Sequence, residues 1–348
     1  MKRKALFFIP PTCGGAERVT ITVAKLLINN GLNIEFAIVG QQGGDIEKFI
    51  PGECALHYVN IKNIMDFTTL KIYSLLGKVK PDVVFSSLCY INSRVALAAH
   101  LRKGVKVIIR NNNNYFTEKN LVTKLLRRWC YPFADEIIMQ TEEMRDEFVN
   151  FFPAKCKSIR VIHNPIDTDA IVRKTKNVEN PFDDKFKNYV YVGRITEVKG
   201  VDFLISTFVK FHNDYPDSRL YIIGKVEKKD KFCNSVIEYV KKEGLESSII
   251  FVGFTANPYQ YVNYADSLIL ASRNEGLPNV VLEAMYLRCP VIVTRSIPII
   301  DRIVSPERGI VIDVDDEAGL YKAMSDILTY KITTRYQSDS EKMFVELF

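Results

Sequence analysis

Short runs of β-branched and aromatic residues alternate with helix-patterned segments along nearly the whole chain, without hairpin turns between them. Lys4–Ile9, Ile34–Val39, Val83–Ser87, Val105–Arg110, Glu136–Gln140 and Ser158–His163 read as strands, with helical spacing over Glu17–Asn29 and Lys119–Trp129. Strands joined through helices pair in parallel, which predicts βαβ units and a doubly wound sheet. The same grammar restarts near Asn188. Tyr189–Val192, Arg219–Ile223, Ile249–Val252, Ser267–Ala271, Pro290–Thr294 and Gly309–Asp313 are strands; Ile205–Asn213, Asn234–Lys242, Leu277–Tyr286 and Ala318–Leu328 are helices. The polar stretch Asp167–Lys187 reads as a linker, so the boundary is placed at residue 170. At 348 residues two domains are expected rather than one core. The expected architecture is two α/β units of similar size flanking a cleft, with ligands at the carboxyl ends of the strands.

Bulk properties narrow the class. The chain is 47% hydrophobic and 25% charged, which fits a folded protein without a disordered tail. Its seven cysteines are scattered, odd in number and without a CxxC pair, and its four histidines are dispersed. That argues against a disulfide framework or a metal site and for a reducing compartment. Lys2, Arg3 and Lys4 precede an apolar run that breaks at Pro10–Pro11, too short for a signal core, so a buried first strand is expected. No run approaches the ~20 apolar residues that span a bilayer. Charge is uneven: residues 1–170 hold 23 Lys+Arg against 16 Asp+Glu, residues 171–348 hold 24 against 25. The basic character belongs to the first half, which suits nucleic acid or an anionic membrane.

Three segments carry chemistry. PPTCGGAER, from Pro10 to Arg18, runs from the first strand into a helix, where Gly14–Gly15 let backbone N–H groups approach an anion. Taken alone, this turn fits a ligand-free diglycine bend equally well. YVGRITEVKG, from Tyr191 to Gly200, places Arg194 and Lys199 at a strand's carboxyl end, where two cations neutralise a pyrophosphate or simply face water. SRNEGLPNVVLEAM, from Ser272 to Met285, sets Glu275 and Glu283 around a helix start, with Pro278 suited to the first helical position. As spacing alone, an ordinary capped helix explains it. Two carboxylates there suit a ligand that adds hydroxyls to its phosphates, as a nucleotide sugar does.

In this order, with CPVIVT after the third, the motifs resemble the large retaining glycosyltransferase family four. ADEIIMQTEEMRDEF (Ala134–Phe148) and VIHNPID (Val161–Asp167) extend the likeness over nearly the whole chain. The resemblance implies a GT-B fold: two Rossmann-like domains facing across a cleft, residues 1–170 binding the acceptor and 171–348 the nucleotide sugar. It also implies that the run after Lys331 crosses back to the first domain, although the run is short.

By the same resemblance, Arg194 and Lys199 bind the donor diphosphate, Glu283 holds its ribose, and Glu275 lies beside the transferred sugar. Gly276 and the N–H groups of Leu277 and Asn279 meet the phosphates, Gly15 lets the first-domain loop close over them, and Thr255 follows a turn that cradles the base. Glu275, Arg194 and Lys199 are the catalytic candidates, acting through preorganised charge without metal or cofactor. Same-face attack would retain the anomeric configuration, so Glu275 is not assigned as a nucleophile.

The chain also departs from the family. No histidine stands in IIRNNNNYF, where relatives place one near the sugar; Asn111, Asn112 and Asn113 either contact hydroxyls or turn the chain. Cys289 replaces a glycine, a packing change, and SIPIIDRIV stands where a Gly-x-x-Glu segment is usual. Asp313-Val-Asp315 imitates a metal motif, and helix capping explains it instead.

Lys119, Lys124, Arg127 and Arg128 interleave with apolar residues on one helix, which suits an anionic bilayer. A solvated helix packed on the sheet is the plainer alternative. The expectation is a hexosyltransferase using a UDP-sugar ahead of a GDP-sugar, with a polyprenyl-diphosphate-linked acceptor, peripheral to the inner membrane face and binding no nucleic acid. A UDP-N-acetylglucosamine 2-epimerase on the same fold, a transferase for a soluble acceptor and a nonenzymatic ligand-binding relative are the rivals.

Overall fold

The structure, a computed structural model, describes residues 3–12, 14–61, 68–102, 104–112, 121–151, 156–227 and 229–348. Asn113, Lys119 and Lys103 lie outside the described residues. The chain divides into two compact units: residues 1–166 with 338–348, and residues 167–337.

In the first unit the order is β1 (Lys4–Ile9), α1 (Gly15–Asn29), β2 (Asn33–Val39), β3 (Leu56–Val59), α2 (Thr68–Val79) and β4 (Val83–Ser86). It continues through α3 (Cys89–Arg102), β5 (Lys106–Asn111), α4 (Leu121–Cys130), β6 (Glu136–Met139), α5 (Glu142–Phe151) and β7 (Ile159–Val161). Among the described residues these strands form one sheet, ordered β3-β2-β1-β4-β5-β6-β7 and parallel throughout. Both faces are buried. Leu6 and Phe8 join one core with Val84, Val107 and Ile109; Ala5, Phe7 and Ile9 join another with Phe36, Phe85 and Ile108. Double burial replaces polar alternation with continuous apolar runs, which is why β1, β4 and β5 are plain in the sequence, whereas the partly exposed edge strand β3 escapes it.

The second unit contains α6 (Thr168–Thr175), β8 (Lys187–Val192), α7 (Val201–Asp214), β9 (Ser218–Ile223), α8 (Lys231–Lys242) and β10 (Ile249–Gly253). Then come α9 (Tyr259–Tyr264), β11 (Ser267–Leu270), α10 (Asn279–Tyr286), β12 (Val291–Thr294), α11 (Ile300–Ile303), β13 (Gly309–Ile312) and α12 (Glu317–Asp326). The sheet is ordered β10-β9-β8-β11-β12-β13, again parallel. The last helix, α13 (Ser340–Leu347), belongs to the first unit despite the shortness of the run. Phe344, Leu347 and Phe348 are buried there, and the Phe348 ring stacks on Phe7 at 5.7 Å. Lys106 Nζ donates to the Leu347 carbonyl at 2.6 Å.

Three local expectations are corrected. The linker is partly helical, because Asp167 caps α6 by accepting from the Ala170 N–H at 2.9 Å and Ile171 anchors it. Pro278 is extended (φ −76°, ψ 101°) and precedes α10, which starts at Asn279 rather than Leu277. The cap of α12 is Asp316, which accepts from the Gly319 N–H at 2.9 Å. Asp313 and Asp315 instead pair with Arg295 and Arg273.

Candidate functional site

The carboxyl edge of the second sheet is built for close backbone approach. Gly224 follows β9, and a Cβ there would lie 2.0 Å from the carbonyl oxygen of Gly193, which follows β8. Gly200 closes the next loop with φ +62°, and a Cβ on it would lie 2.0 Å from the Ala271 carbonyl oxygen after β11. No larger residue fits at Gly200. The loops after β8 and β11, neighbouring strands, are therefore pressed together.

That contact brings two residues singled out in the sequence into direct contact. Lys199 Nζ donates to Glu275 Oε1 at 2.5 Å, and both side chains are largely shielded from water. Ser272 Oγ donates to the same oxygen at 2.7 Å. Neither bond uses Oε2, which takes no hydrogen bond among the described residues. Arg194 is exposed on the same loop, where its carbonyl accepts from the Tyr191 hydroxyl at 2.7 Å. Burial, then the Glu275 carboxylate, push the Tyr191 phenol well above its ordinary pKa, with Arg194 opposing, so Tyr191 is a neutral strut.

Leu277 is buried and Gly276 and Asn279 half-buried where the chain enters α10. Glu283 lies one turn inside the helix, where Oε1 accepts from the Tyr259 hydroxyl at 3.1 Å. Tyr259 opens α9, beyond the turn in which Thr255 Oγ1 accepts from the Asn257 N–H at 3.1 Å. Thr255, Glu283, Glu275, Lys199 and Arg194 thus share the carboxyl edge of one sheet. Sequence reasoning missed Tyr259 and Ser272, whose contacts span 24 and 3 positions and follow no periodic pattern.

In the first unit, Gly14 precedes α1 and its N–H donates to Glu17 Oε2 at 3.1 Å, a capping arrangement that sets the loop before Gly15. The asparagine stretch is structural where described. Asn111 Oδ1 accepts from Arg127 NH2 at 3.1 Å, while Asn112 Oδ1 accepts from Arg110 NH1 at 2.5 Å and from Gln140 Nε2 at 3.3 Å. Asn112 also donates to the Ser87 carbonyl, so the side chain expected to meet an acceptor is buried and hydrogen-bonded inside the unit. Burial pushes the Arg110 guanidinium down to about 9, leaving it largely protonated at neutral pH.

Arg127 is a further correction. It is fully buried below the Tyr131 ring rather than facing solvent. The outward face of α4 instead carries Leu121 (74% exposed), Val122, Leu125 and Trp129 (72%), beside exposed Arg128 and half-buried Lys124. Cys289 is buried, with its thiol pushed up to about 12 by burial. Among the described residues, no helix is long and apolar enough to cross a membrane. Nor do three His, Cys, Asp or Glu side chains converge as metal ligands among them.

The profile of a family described as Glycosyl transferases group 1 matches residues 172–342. That of Glycosyltransferase Family 4 matches residues 13–170. An uncharacterized glycosyltransferase of Methanocaldococcus jannaschii is 29% identical over 242 residues, 65% of this chain and 58% of the relative's own length. The N-acetylgalactosamine-N,N'-diacetylbacillosaminyl-diphospho-undecaprenol 4-alpha-N-acetylgalactosaminyltransferase of Campylobacter jejuni is 25% identical, covering 94% of this chain and 90% of that one. The crystal structure of Anabaena HepE in complex with UDP superposes with a TM-score of 0.77 at 15% identity, over 99% of this chain and 95% of that chain. At that identity the likeness is one of fold.

Proposed function

The chain belongs to glycosyltransferase family four, with the GT-B fold, and from that premise we propose that it moves a hexose or N-acetylhexosamine from a UDP-sugar to a polyprenyl-diphosphate-linked glycan. The observation that carries the donor reading is Glu275, held through Oε1 by Lys199 and Ser272 with Oε2 open to a sugar hydroxyl. Departure of the nucleoside diphosphate builds negative charge on a phosphate oxygen. Arg194, Lys199 and the N–H groups around Leu277 and Asn279 would stabilise that charge through fixed dipoles and cations. Glu283 would hold the ribose and Thr255 the base side. Transfer proceeds with retention by same-face attack, the acceptor proton passing to the leaving phosphate, and it needs no metal.

The acceptor and its location rest on two observations. The Campylobacter relative's name specifies a diphospho-undecaprenol acceptor. The apolar outward face of α4, flanked by Lys124 and Arg128, suits an anionic bilayer. The enzyme in this reading works peripherally on the inner face of the membrane in surface-glycan assembly.

Glu275→Gln and Lys199→Ala test the donor site. Each should lower turnover by about a hundredfold or more, in the range of losing a preorganised charge contact, while thermal unfolding stays within a few degrees of wild type. Near-normal turnover in either variant removes that residue from the mechanism.

A further inference from the structure

Arg273 stands inside the most informative motif, yet the donor reading gives it no role. Its guanidinium is saturated. NH1 and NH2 donate to Asp202 at 2.9 and 3.0 Å, Nε donates to Asp315 at 3.0 Å, and NH1 also reaches the Glu197 carbonyl at 2.6 Å. NH2 lies 3.0 Å from Asp315 Oδ1 as well. Its backbone N–H donates to the Val198 carbonyl at 2.9 Å. The two carboxylates raise the guanidinium above its ordinary pKa, so its charge is permanent.

The geometry points to a clamp, and we propose that Arg273 is a positioning residue that fixes Lys199 against Glu275. The inference rests on the donor-site reading and adds to it a residue that touches no substrate. Glu197, Val198 and Asp202 flank Lys199 in sequence, so three of the four anchors of Arg273 bracket that residue. Arg273 itself lies two positions before Glu275. The fourth anchor, Asp315, has φ +57° and follows β13 on the far side of the sheet from β8, which ties the loop pair to a third element. Gly200 against Ala271 sets how closely the two loops approach; the planar fork of Arg273 sets their register. A lysine keeps the charge and cannot make two forks. Misplacing a reacting group by about 1 Å costs on the order of a hundredfold, so freedom in this register reaches the chemistry without any direct contact.

The test is a double-mutant cycle read as affinity for a nucleoside diphosphate, by titration calorimetry on the full chain with UDP and GDP as probes. Arg273→Lys is expected to weaken binding of the tighter probe by about tenfold, acting through Lys199. In a Lys199→Ala background the same substitution should change affinity less than about threefold, because the group it positions is gone. An equal loss in both backgrounds assigns Arg273 a general structural role and overturns the proposal; so does an Arg273→Lys variant that binds like wild type. Asp315→Asn, at a partly exposed carboxylate, is the second variant. It should weaken binding in the Lys199 background and not in the Lys199→Ala background, which keeps the question answerable should Arg273→Lys unfold. A wild-type protein that binds neither probe overturns the donor-site reading, and this proposal with it. Binding unaffected by Lys199→Ala alone rejects the role of Lys199, and with it the proposal that Arg273 acts through it.

Discussion

Where the loops after β8 and β11 touch, Gly200 has a left-handed backbone with φ +62° and no room for a Cβ beside the Ala271 carbonyl. Replacement by alanine adds backbone strain to a steric conflict with main-chain atoms that cannot rotate away. Gly200→Ala should therefore cost about 2–4 kcal/mol of unfolding free energy, measured by chemical denaturation. A loss below about 0.5 kcal/mol would show that the loop relaxes freely. At this scale the sequence was readable where a motif names the residue. Lys199 and Glu275 lie in separate motifs that the fold joins through one hydrogen bond. Tyr259 and Arg273 were not readable, because their partners are set by which elements the fold brings together, and Ser272 meets Glu275 three positions on within an irregular loop that has no period. Arg273 meets Asp202 and Asp315, 71 and 42 positions away.

Among the elements, α4 separates two roles that the sequence merged. Arg127 points inward and donates to Asn111, whereas Leu121, Val122, Leu125 and Trp129 point outward. Leu125→Glu with Trp129→Glu should abolish flotation with anionic vesicles and leave thermal unfolding unchanged, since neither side chain packs in the core. Retained flotation, or no flotation of wild type at physiological salt, contradicts the membrane assignment. Helix α3 shows why some elements were invisible: Ile91, Asn92, Ser93, Val95, Ala96, Ala98 and Ala99 are all buried, so no polar stripe marks its period.

The last turn of helix α7 holds His212, whose Nδ1 and Nε2 each lie 3.1 Å from a serine hydroxyl, of Ser218 and Ser248. Burial, with Arg219 next, lowers its pKa below the ordinary 6.5. A histidine depressed in the folded state contributes stability above its unfolded pKa and loses it as pH falls from about 6.5 toward the folded value. Stability should decline over that window, and His212→Asn should flatten the decline. An identical slope in the variant assigns the acid sensitivity elsewhere.

On the scale of the molecule, two parallel sheets were legible because doubly buried strands leave unbroken apolar runs between helical segments. The linker composition puts the division of the chain at residue 170, whereas the compact units divide after Ile166. The return of α13 to the first unit had no local signature. It depends on Phe344, Leu347 and Phe348 fitting a sheet face that other residues leave open. The edge that holds Lys199 and Glu275 follows from the sheet order β8-β11, which brings these two residues, 76 positions apart, side by side.

The proposed reaction is sugar transfer from a nucleotide donor without metal. Its most direct measurement is product formation on a panel of UDP- and GDP-sugars, with and without a polyprenyl-diphosphate-linked glycan, in the presence of EDTA. Transfer from a UDP-sugar that needs the lipid-linked acceptor and survives chelation is the expected result. Isomerisation of a UDP-sugar without transfer, or transfer that EDTA abolishes, would contradict it.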